Sequence, residues 1–203
     1  LNETVGTPHH AEQEQPAEIA TLSSRLVYEN RWMRVREDEI LRQDGSQGIY
    51  GVVEKTDFVA IVAVEANGDL HLVEQYRYPV GGRFWELPQG SWESAPEADP
   101  VSVARGELRE ECGLEAGEMI HAGHLFECYG YSNQGCHIFL ARQLTAVPRR
   151  LDHEEQGLIT RRFPAAEVIA MIESGAIRDA TTVAALGLMM LKGLLPGFGA
   201  SGA

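Results

Sequence analysis

Seven consecutive apolar residues, Phe58-Val59-Ala60-Ile61-Val62-Ala63-Val64, form the longest unbroken hydrophobic run of strand length in the chain. A run of this kind reads as a strand buried on both faces. The Asn67-Gly68 pair that follows is a hairpin signal, and it leads into Leu70-His71-Leu72-Val73-Glu74-Gln75-Tyr76, so these two strands are expected at the centre of a sheet. Earlier segments rich in β-branched and aromatic residues, around Leu26-Val27-Tyr28, Trp32-Met33-Arg34-Val35-Arg36 and Ile49-Tyr50-Gly51-Val52-Val53, predict further strands. Residues 78–100 contain Pro79, Gly81, Gly82, Pro88, Gly90, Pro96 and Pro100, too many breakers for a regular element, and read as an ordered functional loop.

A helix is expected over 101–112, with Asp99 at the N-cap, Pro100 at the first helical position and Gly113 just beyond the end. Strands follow at about 119–126, 137–142 and 158–163, then a helix opened by Pro164 and running to about Ser174, and a last helix over 180–195. The mixture is α+β without an internal repeat. Residues 1–20 are polar, with Pro8, Pro16 and the pair His9-His10, and cannot bury enough apolar area to offset ordering, so they read as a flexible tail. The remainder divides into an N-terminal β-element over 21–56 and a main domain over 57–203.

Composition narrows the partners. The 203 residues carry 17 basic against 30 acidic side chains, a net charge of −13, which repels nucleic acid and anionic membranes. A phosphate-bearing ligand must then be met by a metal ion or a few placed arginines. Cys112, Cys128 and Cys136 have no C-x-x-C spacing, and no apolar run approaches the length of a bilayer span. With no basic and apolar leader at the N-terminus, a cytoplasmic setting is expected.

The helix over 101–112 holds Glu107, Glu110 and Glu111. Glu107 therefore lies beside both of the others, and like charges at that spacing repel. A hard divalent cation would turn the repulsion into attraction, although an acidic helix face can also simply be solvated. The surrounding residues distinguish these readings. Glu86-Leu87-Pro88-Gln89-Gly90, the helix, and Glu107-Leu108-Arg109-Glu110-Glu111-Cys112-Gly113-Leu114 closely resemble the signature of the Nudix hydrolase family. Asn30-Arg31-Trp32-Met33-Arg34-Val35-Arg36, Glu74-Gln75-Tyr76-Arg77-Tyr78-Pro79-Val80-Gly81 and Ser174-Gly175-Ala176-Ile177-Arg178-Asp179-Ala180-Thr181-Thr182 look like stretches of its ADP-ribose pyrophosphatase branch.

The resemblance implies a Nudix fold, a central mixed β-sheet between helices with an N-terminal antiparallel β-element that pairs with a second subunit as a homodimer. It implies a Mg²⁺-dependent pyrophosphohydrolase, with Mn²⁺ as an alternative ion, acting on a nucleoside-diphosphate derivative such as ADP-ribose. Glu107 and Glu111 would hold metal, Glu110 would serve as a further ligand or water-bridging catalytic group, and the Gln89 carbonyl would add an oxygen. Glu154 or Glu155 would be the catalytic base, with Glu154 the first choice. Arg77 would reach a substrate phosphate, Trp32 and Tyr28 would stack the base, and Glu86 would hold substrate or metal. Each has a plainer alternative: an ion pair for Arg77, core packing for the aromatics, a structural use for Glu86, and a solvated loop at 153–156.

Three departures from the family pattern stand out. Gly106 occupies the place of the family arginine, with Arg105 one position earlier. The loop after Gly90 is two residues longer than usual, which puts Trp92 where counting back from Gly113 expects glycine and leaves the mid-loop glutamate open between Glu93 and Glu97. Cys128-Tyr129-Gly130 replaces the branch's usual Ser-Pro-Gly, and a tyrosine there is associated with dinucleoside polyphosphate hydrolases. Two alternatives follow: a hydrolase of dinucleoside polyphosphates or other sugar nucleotides, and a catalytically weak nucleotide-binding sensor.

Overall fold

The computed structural model describes residues 18–92, 94–151 and 157–195. An antiparallel three-stranded sheet comes first, β1 (Ile19–Glu29), β2 (Arg34–Arg42) and β3 (Gln47–Glu54), in the order β1-β2-β3. Its first strand begins inside the stretch 1–20 that composition marks as a tail. Residues 1–17 lie outside the described part.

The second sheet has β10 (Ile159–Phe163), β5 (Leu70–Arg77), β4 (Phe58–Val64), β9 (Gly135–Ala146) and β8 (Leu114–Phe126) side by side in that order. Two short strands join it, β6 (Gly82–Glu86) against β5 and β7 (Gln89–Gly90) against β4. The β4–β9 pair is parallel and the others antiparallel, so the sheet is mixed. The breaker-rich stretch is thus more regular than its prolines and glycines suggest, because neighbouring strands give its backbone partners.

β4 organises the core. Successive side chains of a strand point to opposite faces, and here both faces are covered. Ala60 and Val62 face Val168, Leu186 and Met189, which come from α2 (Ala165–Glu173) and α3 (Ala180–Leu191). Val59, Ile61 and Ala63 face Val103, Ala104 and Leu108 of α1 (Pro100–Cys112). This double burial is the reason the run is apolar without alternation. Among the described residues, no helix is long and apolar enough to cross a membrane.

The two sheets are joined at β3. The Val53 N–H donates to the Tyr131 carbonyl at 2.7 Å, the Asn133 N–H to the Val53 carbonyl at 3.3 Å, and the Tyr50 hydroxyl to the Gly130 carbonyl at 2.9 Å.

Candidate active site

α1 begins with Asp99 at its N-cap position and Pro100 in its first turn, and ends at Gly113, whose φ of 65° is the left-handed conformation favoured by glycine. The Asp99 side chain accepts from the Ser102 hydroxyl at 3.3 Å rather than capping a backbone N–H. One face of the helix supplies Val103, Ala104 and Leu108 to the core. Glu107 and Glu111, one turn apart, are buried with it at 4% and 1% exposure, while Glu110 is half-buried.

Both buried carboxylates meet β7. The Gln89 N–H donates to Glu111 Oε2 at 2.9 Å. A Cβ on Gly90 would stand 2.4 Å from Glu107 Oε2, so a side chain at this position would push the carboxylate aside. The Thr160 hydroxyl of β10 fixes the helix by donating to the Glu111 carbonyl at 2.6 Å. Gln89 Oε1 is buried without a hydrogen-bond donor. Buried carboxylates are costly unless matched by positive charge, and an oxygen-only donor set suits a hard cation such as Mg²⁺.

Arg77, at the end of β5, and Glu86, at the end of β6, are joined. Arg77 Nη2 and Nε donate to Glu86 Oε1 and Oε2 at 2.5 and 3.0 Å, and Gln75 Nε2 donates to Oε1 at 2.8 Å. Glu86 is 2% exposed. Burial raises its pKa, Arg77 opposes the rise, and the nearby Asp179 adds to it. The ion-pair alternative for Arg77 and the structural alternative for Glu86 are thus one interaction. Part of the Arg77 side chain still lines a cavity of about 500 Å³, together with Phe84, Glu86, Arg178 and Asp179.

Asp179 caps α3. Its Oδ2 accepts from the Thr182 N–H at 2.8 Å and the Thr182 hydroxyl at 2.6 Å, and Thr182 Oγ1 in turn accepts from the Leu87 N–H at 2.9 Å. The stretch 174–182 was legible as family-like, but the roles of Arg178, Asp179 and Thr182 were not. The N-cap signal of an aspartate before an apolar helix was available for one of them.

Trp32 and Tyr28 are 43% and 52% exposed, which excludes core packing. Asn30 Oδ1 accepts from the Trp32 and Met33 N–H groups and Asn30 Nδ2 donates to the Tyr28 hydroxyl, while the Arg31 guanidinium lies 4.1 Å from the Trp32 ring centre. Trp32 lines a different cavity, of about 660 Å³, with Arg31, Trp92, Asp57 and His137. It shares no lining residue with the Arg77 cavity. Glu154, Glu155 and Glu93 lie outside the described residues, and Glu97 is exposed in a turn.

Gly106 has a local reason. A Cβ there would stand 2.3 Å from Trp92 Cζ2, so the indole of the longer loop occupies the space of a residue-106 side chain. The tryptophan where a loop glycine is expected and the glycine where a helix arginine is expected are one packing exchange.

The NUDIX domain family matches residues 55–186, and the nucleoside diphosphate sugar hydrolase N-terminal domain matches residues 19–53. The chain belongs to the Nudix family. Within it, the chain is 32% identical over 182 residues to the ADP-ribose pyrophosphatase of Mycobacterium tuberculosis (strain ATCC 25618 / H37Rv), covering 89% of this chain and 86% of that one. It is 26% identical to the ADP compounds hydrolase NudE of Escherichia coli (strain K12), over 85% of this chain and 92% of the other. A crystal structure of an ADP compounds hydrolase, 22% identical, superposes with a TM-score of 0.77 over 92% of this chain and 100% of its own, which shows the fold.

Proposed function

We propose that the chain is a Mg²⁺-dependent pyrophosphohydrolase that cleaves the diphosphate of a nucleoside-diphosphate derivative, with ADP-ribose yielding AMP and ribose 5-phosphate as its best substrate. The observation that carries this reading is the burial of Glu107 and Glu111 against Gln89 and Gly90. Glu107 and Glu111 hold the ion, Glu110 and the Gln89 main-chain carbonyl complete its surroundings, and Mn²⁺ fits the same donors. Bound there, the cation supplies charge neutralisation to the diphosphate and lowers the pKa of a water.

The chain's own groups do the rest. Glu86 holds the Arg77 guanidinium in a fixed plane at the cavity edge, where its remaining donors can take a phosphate oxygen. Glu154 or Glu155 accepts the proton of the attacking water. Trp32 and Tyr28 stack a nucleobase. Trp32 and Arg77 line different cavities of one chain, which supports a site completed by a second copy through the N-terminal sheet, hence a homodimer. The three free thiols suit a cytoplasmic setting.

The test is AMP release from ADP-ribose with and without Mg²⁺, for the parent and for Glu111→Gln. We expect metal-dependent turnover that falls by roughly 10²-fold or more in the variant. Absence of turnover on any diphosphate would overturn the assignment. A second reading, dinucleoside polyphosphate hydrolysis, draws on exposed Tyr129 and Tyr131 beside a cleft that Tyr50 and Phe126 also line. Diadenosine polyphosphates in the same assay separate the two.

A further inference from the structure

We propose that Asp57, His124 and His137 form a second metal site, built for a borderline transition-metal ion of the Zn²⁺ type and separate from the glutamates of α1. His124 and His137 are direct cross-strand partners on β8 and β9. Asp57 immediately precedes β4, whose first residue Phe58 pairs with Cys136. Three backbone positions of one sheet therefore place the side chains, and one donor atom from each lies within 4.8 Å of the others.

The donors converge on a single oxygen. Asp57 Oδ2 is 2.9 Å from His124 Nε2 and 3.6 Å from His137 Nε2, while Asp57 Oδ1 is taken by the Gly135 N–H at 2.8 Å. Ligands bound to one tetrahedral ion at ~2.0–2.2 Å sit about 3.4 Å apart, and the two measured edges fall on either side of that spacing. Two imidazoles and one carboxylate suit Zn²⁺ and its neighbours, whereas Mg²⁺ prefers oxygen alone. A metal ion also supplies positive charge without protonating two rings whose centres are 4.6 Å apart.

Support around the donors is already in place. His137 Nδ1 lies 3.3 Å from His121 Nε2, so a ring bound through Nε2 can donate its other N–H to His121. Such outer contacts fix the ring and its tautomer. Gly135 leaves room for His124: a Cβ there would stand 2.0 Å from His124 Nε2. Asp57 and His137 also line the cavity of Trp32, which leaves an approach for the ion. Bound metal would pin the segment between β3 and β4 to the β8–β9 pair.

The experiment is calorimetric titration of the metal-stripped full chain with Zn²⁺, plus the visible spectrum of the Co²⁺ form and thermal unfolding with and without Zn²⁺. The variants are Glu107→Gln/Glu111→Gln, His124→Ala, His124→Gln, His121→Ala, and His9→Ala/His10→Ala as a control for the N-terminal pair. We expect a Zn²⁺ site that raises the melting temperature and survives in the double glutamate and His9→Ala/His10→Ala variants. It should be lost in both His124 variants and weakened about 10- to 100-fold in His121→Ala. Zn²⁺ binding that is absent in the parent, unchanged by His124→Gln, or abolished with the glutamates overturns the proposal. The readout does not depend on turnover, so it stands or falls apart from the assigned hydrolysis.

Discussion

Glycine within a helix is ordinarily a weakness that alanine repairs by about 1 kcal/mol. Gly106 is an exception because the added methyl group would collide with a rigid indole at 2.3 Å. Gly106→Ala should therefore destabilise the fold, by ~1–3 kcal/mol as for other overpacked sites. In the background of Trp92→Ala the same change should become neutral or stabilising. Urea unfolding of the four proteins in that cycle measures the coupling; additive effects would show that Trp92 does not set the requirement. The sensor alternative rests on Gly106 standing where the family has arginine, and the indole gives the glycine another cause.

Glu86 is a buried carboxylate at the end of β6. Its folded pKa is raised, first by burial, so between the unfolded and folded values the native state holds a proton that the unfolded chain has lost. Stability from this group is fully present below the unfolded value and is lost as pH rises through the folded one. The stability of the parent relative to Glu86→Gln should accordingly increase as pH falls from neutrality into the carboxylate range. A difference that stays flat with pH, in denaturant unfolding at several pH values, would mean that Arg77 cancels the burial cost.

Among elements, the pairing of β7 with α1 has the sharpest consequence. Every carboxylate atom of Glu107 lies within 2.6 Å of the Cβ that Gly90 lacks. Gly90→Ala should displace Glu107 while leaving the sheet intact, so more Mg²⁺ should be needed for half-maximal AMP release at little cost in melting temperature. A variant with parental Mg²⁺ dependence would remove Glu107 from the assigned metal set. β4, β5 and α1 were legible in the sequence because their signals are local: an apolar run, an Asn-Gly turn, and a proline and glycine at the two ends of a helix. β7 was not, since two residues carry no periodicity and their strand character comes from pairing with Val59 and Ala60. β8 begins at Leu114 rather than near 119 for a related reason. Its early residues Glu115, Ala116 and Glu118 have poor strand propensity, and β9 supplies their partners. α3 ends at Leu191, short of 195, because Gly193 takes a φ of 66° just after it. The glutamates could be read because they share one helix. The Arg77–Glu86 pair and the Asp57–histidine cluster could not, since their residues lie on or beside different strands and meet only through strand register.

At the scale of the whole molecule, the N-terminal sheet is the part the single chain does not explain. β1 pairs only with β2 among the described residues, so one edge of an eleven-residue strand is open, and all of its residues are exposed. Ile19, Leu22, Leu26, Val27 and Tyr28 contribute large apolar surface there, with Ile49 on β3. An open edge of this length and composition invites a further strand, and a symmetric pair would let the same patch cover itself. Trp32 and Tyr28 would then be carried to the partner's substrate cavity. The parent should sediment at twice the 22.3 kDa chain mass. Leu26→Arg, which puts a charge into the patch without touching either buried core, should sediment as a monomer and raise KM for ADP-ribose more than it lowers kcat. If the parent is monomeric at micromolar concentration, or Leu26→Arg remains dimeric, this sheet is not the interface. If dissociation leaves KM unchanged, each chain binds its nucleotide with its own residues.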